Sequence, residues 1–256
     1  MQAATMALRR TVRAAGHALT EEAYAAARQA FEQGLDAASL APEYGRREYL
    51  RNVAADGAPI PATAAMLEDY RRTIGQRPEF GLWFQETQAP RPALLAARWL
   101  CHLAGLRHAT VQWFLDDAAR EGYTLAQVRG VDRPQAPGCF DLPAAGHVVG
   151  ATPPEEARWL ELREELGLGP PDLADVELLV RGEYIDPRDD GTIYDVEDCH
   201  VYRGRLHEGA LSRIRFVDGE AAAVALFAVP ALAALIERFP ERVGPGLRAA
   251  WRYYAP

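Results

Sequence analysis

Gly146-His147-Val148-Val149-Gly150-Ala151-Thr152-Pro153-Pro154-Glu155-Glu156-Ala157-Arg158-Trp159-Leu160-Glu161-Leu162-Arg163-Glu164-Glu165-Leu166-Gly167-Leu168 is the run from which the rest of the chain is most readily understood. A glycine loop and a proline-bearing linker lead into Glu155–Leu166, which reads as a helix stopped by Gly167. Glu161, Glu164 and Glu165 stand at i, i+3 and i+4, the spacing that gathers side chains on one helical face. Trp159, Leu162 and Leu166 fall at i, i+3 and i+7 on the other side and are expected to anchor the helix to a core. Three carboxylates so close repel one another. A hard divalent cation such as Mg²⁺ removes that repulsion because it prefers oxygen ligands. A metal so held can activate water and neutralise phosphate oxygens, which implies phosphoanhydride chemistry.

Composition narrows the field. A chain of 256 residues holds one full-sized core, or a core with a smaller module. No apolar run reaches membrane-spanning length, and Arg9, Arg10 and Arg13 are not followed by the apolar stretch of a secretory signal. Cys101, Cys139 and Cys199 are scattered and odd in number, which fits free thiols in a reducing cytoplasm. A net charge of −8 argues against general nucleic-acid binding. All 28 basic residues are arginine, so Schiff-base chemistry and a P-loop lysine are excluded.

Along the chain the first 75 or so residues read as helical. Thr20 is an N-cap for a helix that closes at Gly34, and Ala62 to Ile74 forms another after a break at Asp56 to Pro61. From Phe80 the texture changes. Phe80 to Thr87, His108 to Leu115, Tyr123 to Val131, Leu173 to Tyr184, Asp195 to Tyr202 and Ala221 to Ala228 read as strands. Leu94 to Leu103, Pro230 to Phe239 and Gly246 to Tyr254 read as helices, and Asp186 to Gly191 as a turn. Cys139 to Val149 reads as extended backbone leading into the acidic helix. The class is α+β, a mixed sheet between helices.

The Gly146 to Leu168 span resembles the Nudix box, G-x5-E-x7-R-E-U-x-E-E-x-G-U with U aliphatic. Glu161-Leu162, Glu164-Glu165 and Gly167-Leu168 match in register. Flanking motifs agree: Leu125 to Arg129 resembles the family strand ending in Q-x-R. Pro137-Gly138-Cys139-Phe140-Asp141 and Ala145-Gly146-His147-Val148 resemble its approach to the box, and Gly105-Leu106-Arg107-His108 the entry to the first core strand. The resemblance implies a Nudix hydrolase domain over 78–256, preceded by a helical N-terminal extension over 1–77.

It further implies Mg²⁺ or Mn²⁺ held by Glu161, Glu164, Glu165 and the Gly146 carbonyl, with Glu164 and Glu165 catalytic. Glu197 resembles a strand glutamate of some family members, either a base or an extra ligand; the alternative is a strand-edge charge, and Asp198 competes for the role. Arg129 and Phe140 are candidates for substrate contact, against the plainer readings of an ion pair and a core ring. Two positions depart from the box: Thr152 replaces its first glutamate and Leu160 its arginine. Arg158, on the edge of the same face, either supplies the missing cation or is a solvated arginine. His147 is read as bracing the turn and His200 as packed.

The implied activity is cleavage of a diphosphate linkage in a nucleotide or other small phosphorylated metabolite, in the cytoplasm, without a membrane; dimerisation is compatible with the fold. The competing reading is a Nudix-fold binding or regulatory module with little turnover, consistent with Thr152 and Leu160. Isopentenyl-diphosphate isomerases share the Gly-His approach but carry a cysteine that Ala144-Ala145-Gly146-His147-Val148 lacks, so that reading ranks last.

Overall fold

The computed structural model describes residues 2–35, 48–88, 92–133, 135–187, 193–217 and 219–254. Most of the turn expected at Asp186 to Gly191 therefore lies outside the described residues. The chain divides into two compact units, the first comprising 1–109, 147–152 and 183–198, the second 110–146, 153–182 and 199–256.

In the first unit, α1 (Gln2–Ala14), α2 (Glu21–Glu32) and α3 (Ala64–Gln76) pack with a three-stranded antiparallel sheet of order β1-β3-β2, formed by β1 (Tyr49–Leu50), β2 (Phe84–Thr87) and β3 (Ala93–Ala97). The expected Thr20 cap is present, its side chain accepting from the Ala23 amide, and Thr63, which the sequence reading placed inside the helix, caps α3 in the same way for Met66. The core is aromatic: Phe80 lies 4.8 Å from Phe31 and 5.6 Å from Phe84, and Trp83 meets Trp99 edge-on at 4.9 Å. Full burial of each such ring contributes about 1.5–3 kcal/mol.

Two expectations shift here. The stretch from Leu94 to Leu103 is not one helix: its first part is β3, buried at every position between two partner strands, and α4 begins only at Arg98 (Arg98–Ala104). A continuous apolar run carries no period, so a fully buried strand and a helix look alike in it. Likewise Phe80 belongs to a 3-10 turn, Pro78–Leu82, that plugs it into the core, and the strand starts at Phe84. Gly105 ends α4 at φ 76°, and a Cβ there would overlap the Tyr194 ring.

The second unit is built on the larger sheet, of order β10-β5-β4-β9-β8. Its strands are β4 (His108–Asp117), β5 (Tyr123–Arg129), β8 (Leu173–Pro187), β9 (Tyr194–Leu206) and β10 (Ala221–Ala228). Two short strands extend it, β6 (Phe140–Asp141) on β5 and β7 (Ala144–His147) on β4. His108 and Ala109 of β4, 183–187 of β8 and 194–198 of β9 belong to the first unit. The helices are α5 (Pro154–Leu166), α6 (Val229–Arg238) and α7 (Pro245–Tyr254), close to their expected bounds. Trp113 packs 5.2 Å from Trp159 of α5, and Phe114 stacks at 4.5 Å on Tyr254 of α7.

Asp141 joins β6 to α7. Its Oδ1 accepts from the Leu142 and Leu247 amides at 2.9 and 3.0 Å, and Arg129 lies 3.4 Å from Oδ2. Burial raises its pKa, opposed chiefly by Arg129. The motif aspartate thus caps a helix that starts about a hundred residues later.

Gly105→Ala should destabilise the chain by about 1–3 kcal/mol, the cost of a left-handed non-glycine residue, with the overlap on Tyr194 adding to it. Urea unfolding of the variant checks this. A midpoint equal to that of the wild type would contradict the stated role of Gly105.

Candidate functional site

The acidic helix α5 starts at Pro154 with Glu155 and Glu156 in its first turn, where carboxylates suit the positive end of the helix. It ends at Gly167, whose φ of 68° and close approach to Arg215 both favour glycine. Ala157, Leu162 and Leu166 are buried, and so is Glu165. Trp159 is only half-buried, against Trp113.

Glu165 is 2% exposed. Its Oε2 accepts from Gln127 Nε2 of β5 at 2.8 Å, and its Oε1 from the Ala145 amide of β7 at 2.7 Å. Burial pushes its pKa well above the carboxylate range; those two donors oppose the shift, and the nearby charges of Glu220 and Glu161 add to it. Glu161 lies against Gly146 so closely that a Cβ at residue 146 would overlap its carboxylate. Glu164, one turn along, is exposed. The expected trio therefore separates into a buried, an apposed and an open carboxylate. All are hard oxygen donors, and a divalent cation would offset the charges of Glu220 and Glu161 that disfavour ionised Glu165, so these residues fit Mg²⁺ or Mn²⁺.

The remaining expected residues fall as follows. Leu160 is 42% exposed where the box carries arginine. The Arg158 guanidinium lies over the Tyr202 ring at 4.6 Å and the Trp159 ring at 5.0 Å, while its carbonyl accepts from Trp113 Nε1 at 2.8 Å. Arg129 donates from Nε to the Gln135 carbonyl at 3.1 Å and faces Asp141. Phe140 meets Phe227 edge-on at 5.0 Å. Thr152 belongs to the first unit, where its amide donates to the Val149 carbonyl at 3.4 Å.

Glu197 belongs to the first unit too, and there the structure brings together residues that the sequence reading left apart. His102 of α4, His108 at the start of β4 and His147 at the end of β7 form a triangle with ring centroids 5.1–5.2 Å apart. His102 Nε2 and His147 Nε2 are 3.1 Å apart. Asp195 Oδ1 stands 3.6 Å from His108 Nε2 and 3.8 Å from His102 Nε2. The ligating atoms of the three histidines all lie within 4.8 Å of one another, as do those of His108, Asp195 and Glu197. Burial lowers the pKa of His108, against the pull of Asp195, and so favours the neutral ring. His147 thus stands within a cluster, beyond the turn-bracing role expected for it. One signal was available: Asp195 and Glu197 alternate onto one face of a strand.

With the in-register box on α5 and the mixed sheet around it, the architecture is the α+β Nudix fold. No protein-family model and no curated protein matches the chain. Among solved structures, it is similar to a protein from Deinococcus radiodurans at TM-score 0.51 and 19% identity, over 81% of this chain and 100% of that one. It is also similar to a MutT Nudix hydrolase from Burkholderia pseudomallei, at TM-score 0.43 and 24% identity over 58% and 98%. A third is the Nudix domain of NrtR from Shewanella oneidensis, solved with ADP-ribose, at TM-score 0.37 and 17% identity over 50% and 75%. Among the described residues no helix is long and apolar enough to cross a membrane.

The raised pKa of Glu165 has a signed consequence. Between the ordinary carboxylate range and the raised folded value, the folded state holds a proton that the unfolded state has released. Stability of the metal-free chain therefore falls as pH rises through that window. Thermal unfolding in chelator should show this fall for the wild type. Glu165→Gln should show a shallower fall, leaving the share that Asp141 contributes, whatever constant offset the amide introduces; an unchanged slope would remove Glu165 as a source.

Proposed function

We propose that this chain is a Mg²⁺- or Mn²⁺-dependent Nudix hydrolase that cleaves the diphosphate linkage of a nucleotide or another small phosphorylated metabolite. The observation that carries the reading is Glu165, a carboxylate buried under two donors with a second carboxylate, Glu161, crowding it. A side chain so arranged is costly to keep ionised without a cation. Glu161, Glu164, Glu165 and the Gly146 carbonyl are the groups that would hold the ion. When bound, it would supply charge neutralisation on the diphosphate and acidify an attacking water.

The chain's own groups divide the remaining work. Gln127 and the Ala145 amide fix Glu165 in one orientation. Glu164, in contact with solvent, can accept the proton released by water. Glu197, expected as base or extra ligand, stays outside the hydrolase machinery, because its carboxylate groups with His108 and Asp195. Arg158, stacked on Tyr202, keeps a planar array of donors suited to phosphate oxygens. Arg129 and Phe140 complete the proposed substrate contacts. The division into an extension over 1–77 and a hydrolase domain over 78–256 belongs to the same proposal.

One observation favours the module that binds without turnover: the box arginine is replaced by the exposed Leu160, and Thr152 stands in place of its first glutamate. Phosphate release from a panel of nucleoside diphosphate derivatives and other diphosphates, with Mg²⁺ and with Mn²⁺, separates the two. The hydrolase reading expects turnover that falls by about 100-fold or more in Glu165→Gln and Glu161→Gln, a loss typical of groups that stabilise transition-state charge. Tight binding of a panel member with no product would establish the module instead.

A further inference from the structure

We propose that His102, His108 and His147, with Asp195 and Glu197, form a second metal centre that takes a divalent transition ion that accepts nitrogen ligands, such as Zn²⁺, Co²⁺ or Fe²⁺. It is independent of the box carboxylates, and it does not require the hydrolase reading.

The argument starts from two atoms facing each other. His108 is fully buried, and its Nδ1 lies 2.9 Å from the Leu106 carbonyl. A carbonyl can only accept, so Nδ1 carries the proton and Nε2 presents a lone pair. That lone pair points at Asp195 Oδ1, 3.6 Å away, which is itself an acceptor. Neither atom has a hydrogen-bond partner, and both are shielded from solvent. Two buried acceptors facing each other across a gap too wide for a hydrogen bond are what an intervening cation resolves.

The other imidazoles point the same way. His147 turns Nδ1 toward Glu48, 4.0 Å off, and Nε2 toward His102 Nε2. Glu48 is in turn paired with Arg98 at 3.0 Å. A carboxylate or a backbone carbonyl behind the outward nitrogen is the usual outer shell of a metal-bound histidine, because it fixes the tautomer that frees the inward nitrogen. Here His108 has that carbonyl at hydrogen-bond distance, and the Glu48 carboxylate lies on the outward side of His147. The Nε2 atoms of all three rings and Oδ1 of Asp195 thus converge, at separations of 3.1, 3.6 and 3.8 Å. Ligands about 2.0–2.2 Å from one ion stand roughly 3–3.5 Å from one another, so small side-chain movements close the shell. Asp195 and Glu197, two apart on β9, offer their oxygens from one face of the strand.

The donor set selects the ion. Mg²⁺ and Ca²⁺ prefer oxygen alone, whereas three imidazoles with carboxylates suit the first-row transition ions. The full-length chain, stripped with chelator and dialysed against Zn²⁺ or Co²⁺, should retain one ion that a large excess of Mg²⁺ does not displace. With Co²⁺ it should show visible ligand-field absorption. His147→Gln, on a half-buried ring, and Asp195→Asn should each weaken retention by more than the roughly 10–100-fold typical of losing an outer-shell partner. Glu161→Gln and Glu165→Gln should leave it unchanged, which keeps this test separate from that of the hydrolase. Failure of the wild type to retain either ion would overturn the proposal. So would retention unchanged in both His147→Gln and Asp195→Asn, or lost equally in the box variants.

Discussion

A carboxylate inside a protein must be protonated, paired or bound to a cation, and Glu165 is the place where this constraint organises the second unit. Three elements meet at its two oxygens: α5 carries it, β5 offers Gln127 and β7 the Ala145 amide. Both donors are neutral. They orient the group and soften its burial, but they cannot cancel its charge, while Glu161 and Glu220 act in the opposite sense. Glu220 is itself paired with Arg133 at 2.9 Å, so that cation is already engaged. The helix position, the glycine at 146 and the β7 backbone all converge on a carboxyl group whose burial favours its protonated form.

Asp141 shows the alternative outcome in the same unit. It too is buried with a raised pKa, yet it receives two backbone amides and faces a guanidinium. These partners oppose the burial without fully offsetting it, and the result is structural, a strand joined to the start of a distant helix. The two carboxylates differ in what surrounds them far more than in depth. Burial by itself therefore says little about function; the sign and type of the neighbours separate a structural cap from a cation site.

Much of this was legible in the sequence because the physics was local. The acidic helix, its glycine stop and the alternating strands each express a period of 3.6 or 2. Thr20 and Pro230 mark helix starts through groups within a few residues. Where the reading slipped, the deciding contact was remote. Ala93 to Ala97 became a strand because β1 and β2 flank it, information absent from an unbroken apolar run. Asp141 caps a helix across 106 residues, and Arg158 is placed by the Tyr202 ring. The histidines were missed for the same reason: His102, His108 and His147 lie on three different elements, and no one-dimensional spacing links them.

The two clusters also differ in the kind of cation they ask for, and the difference follows from donor chemistry alone. The box offers carboxylate oxygens and a peptide carbonyl, one of its glutamates open to solvent, an arrangement that lets an ion keep some of its waters. Such a site suits an abundant, weakly held ion that exchanges with substrate. The histidine cluster is more enclosed, with His108 fully buried and the His102 side chain 5% exposed, and its nitrogen lone pairs are softer donors. An ion there would satisfy His108 Nε2 and Asp195 Oδ1, two buried atoms that have no hydrogen-bond partner. Retention and exchange are opposite demands. The chain places three of its six histidines, with two carboxylates, in one cluster and the all-oxygen acidic helix in another unit, so only the first offers nitrogen donors.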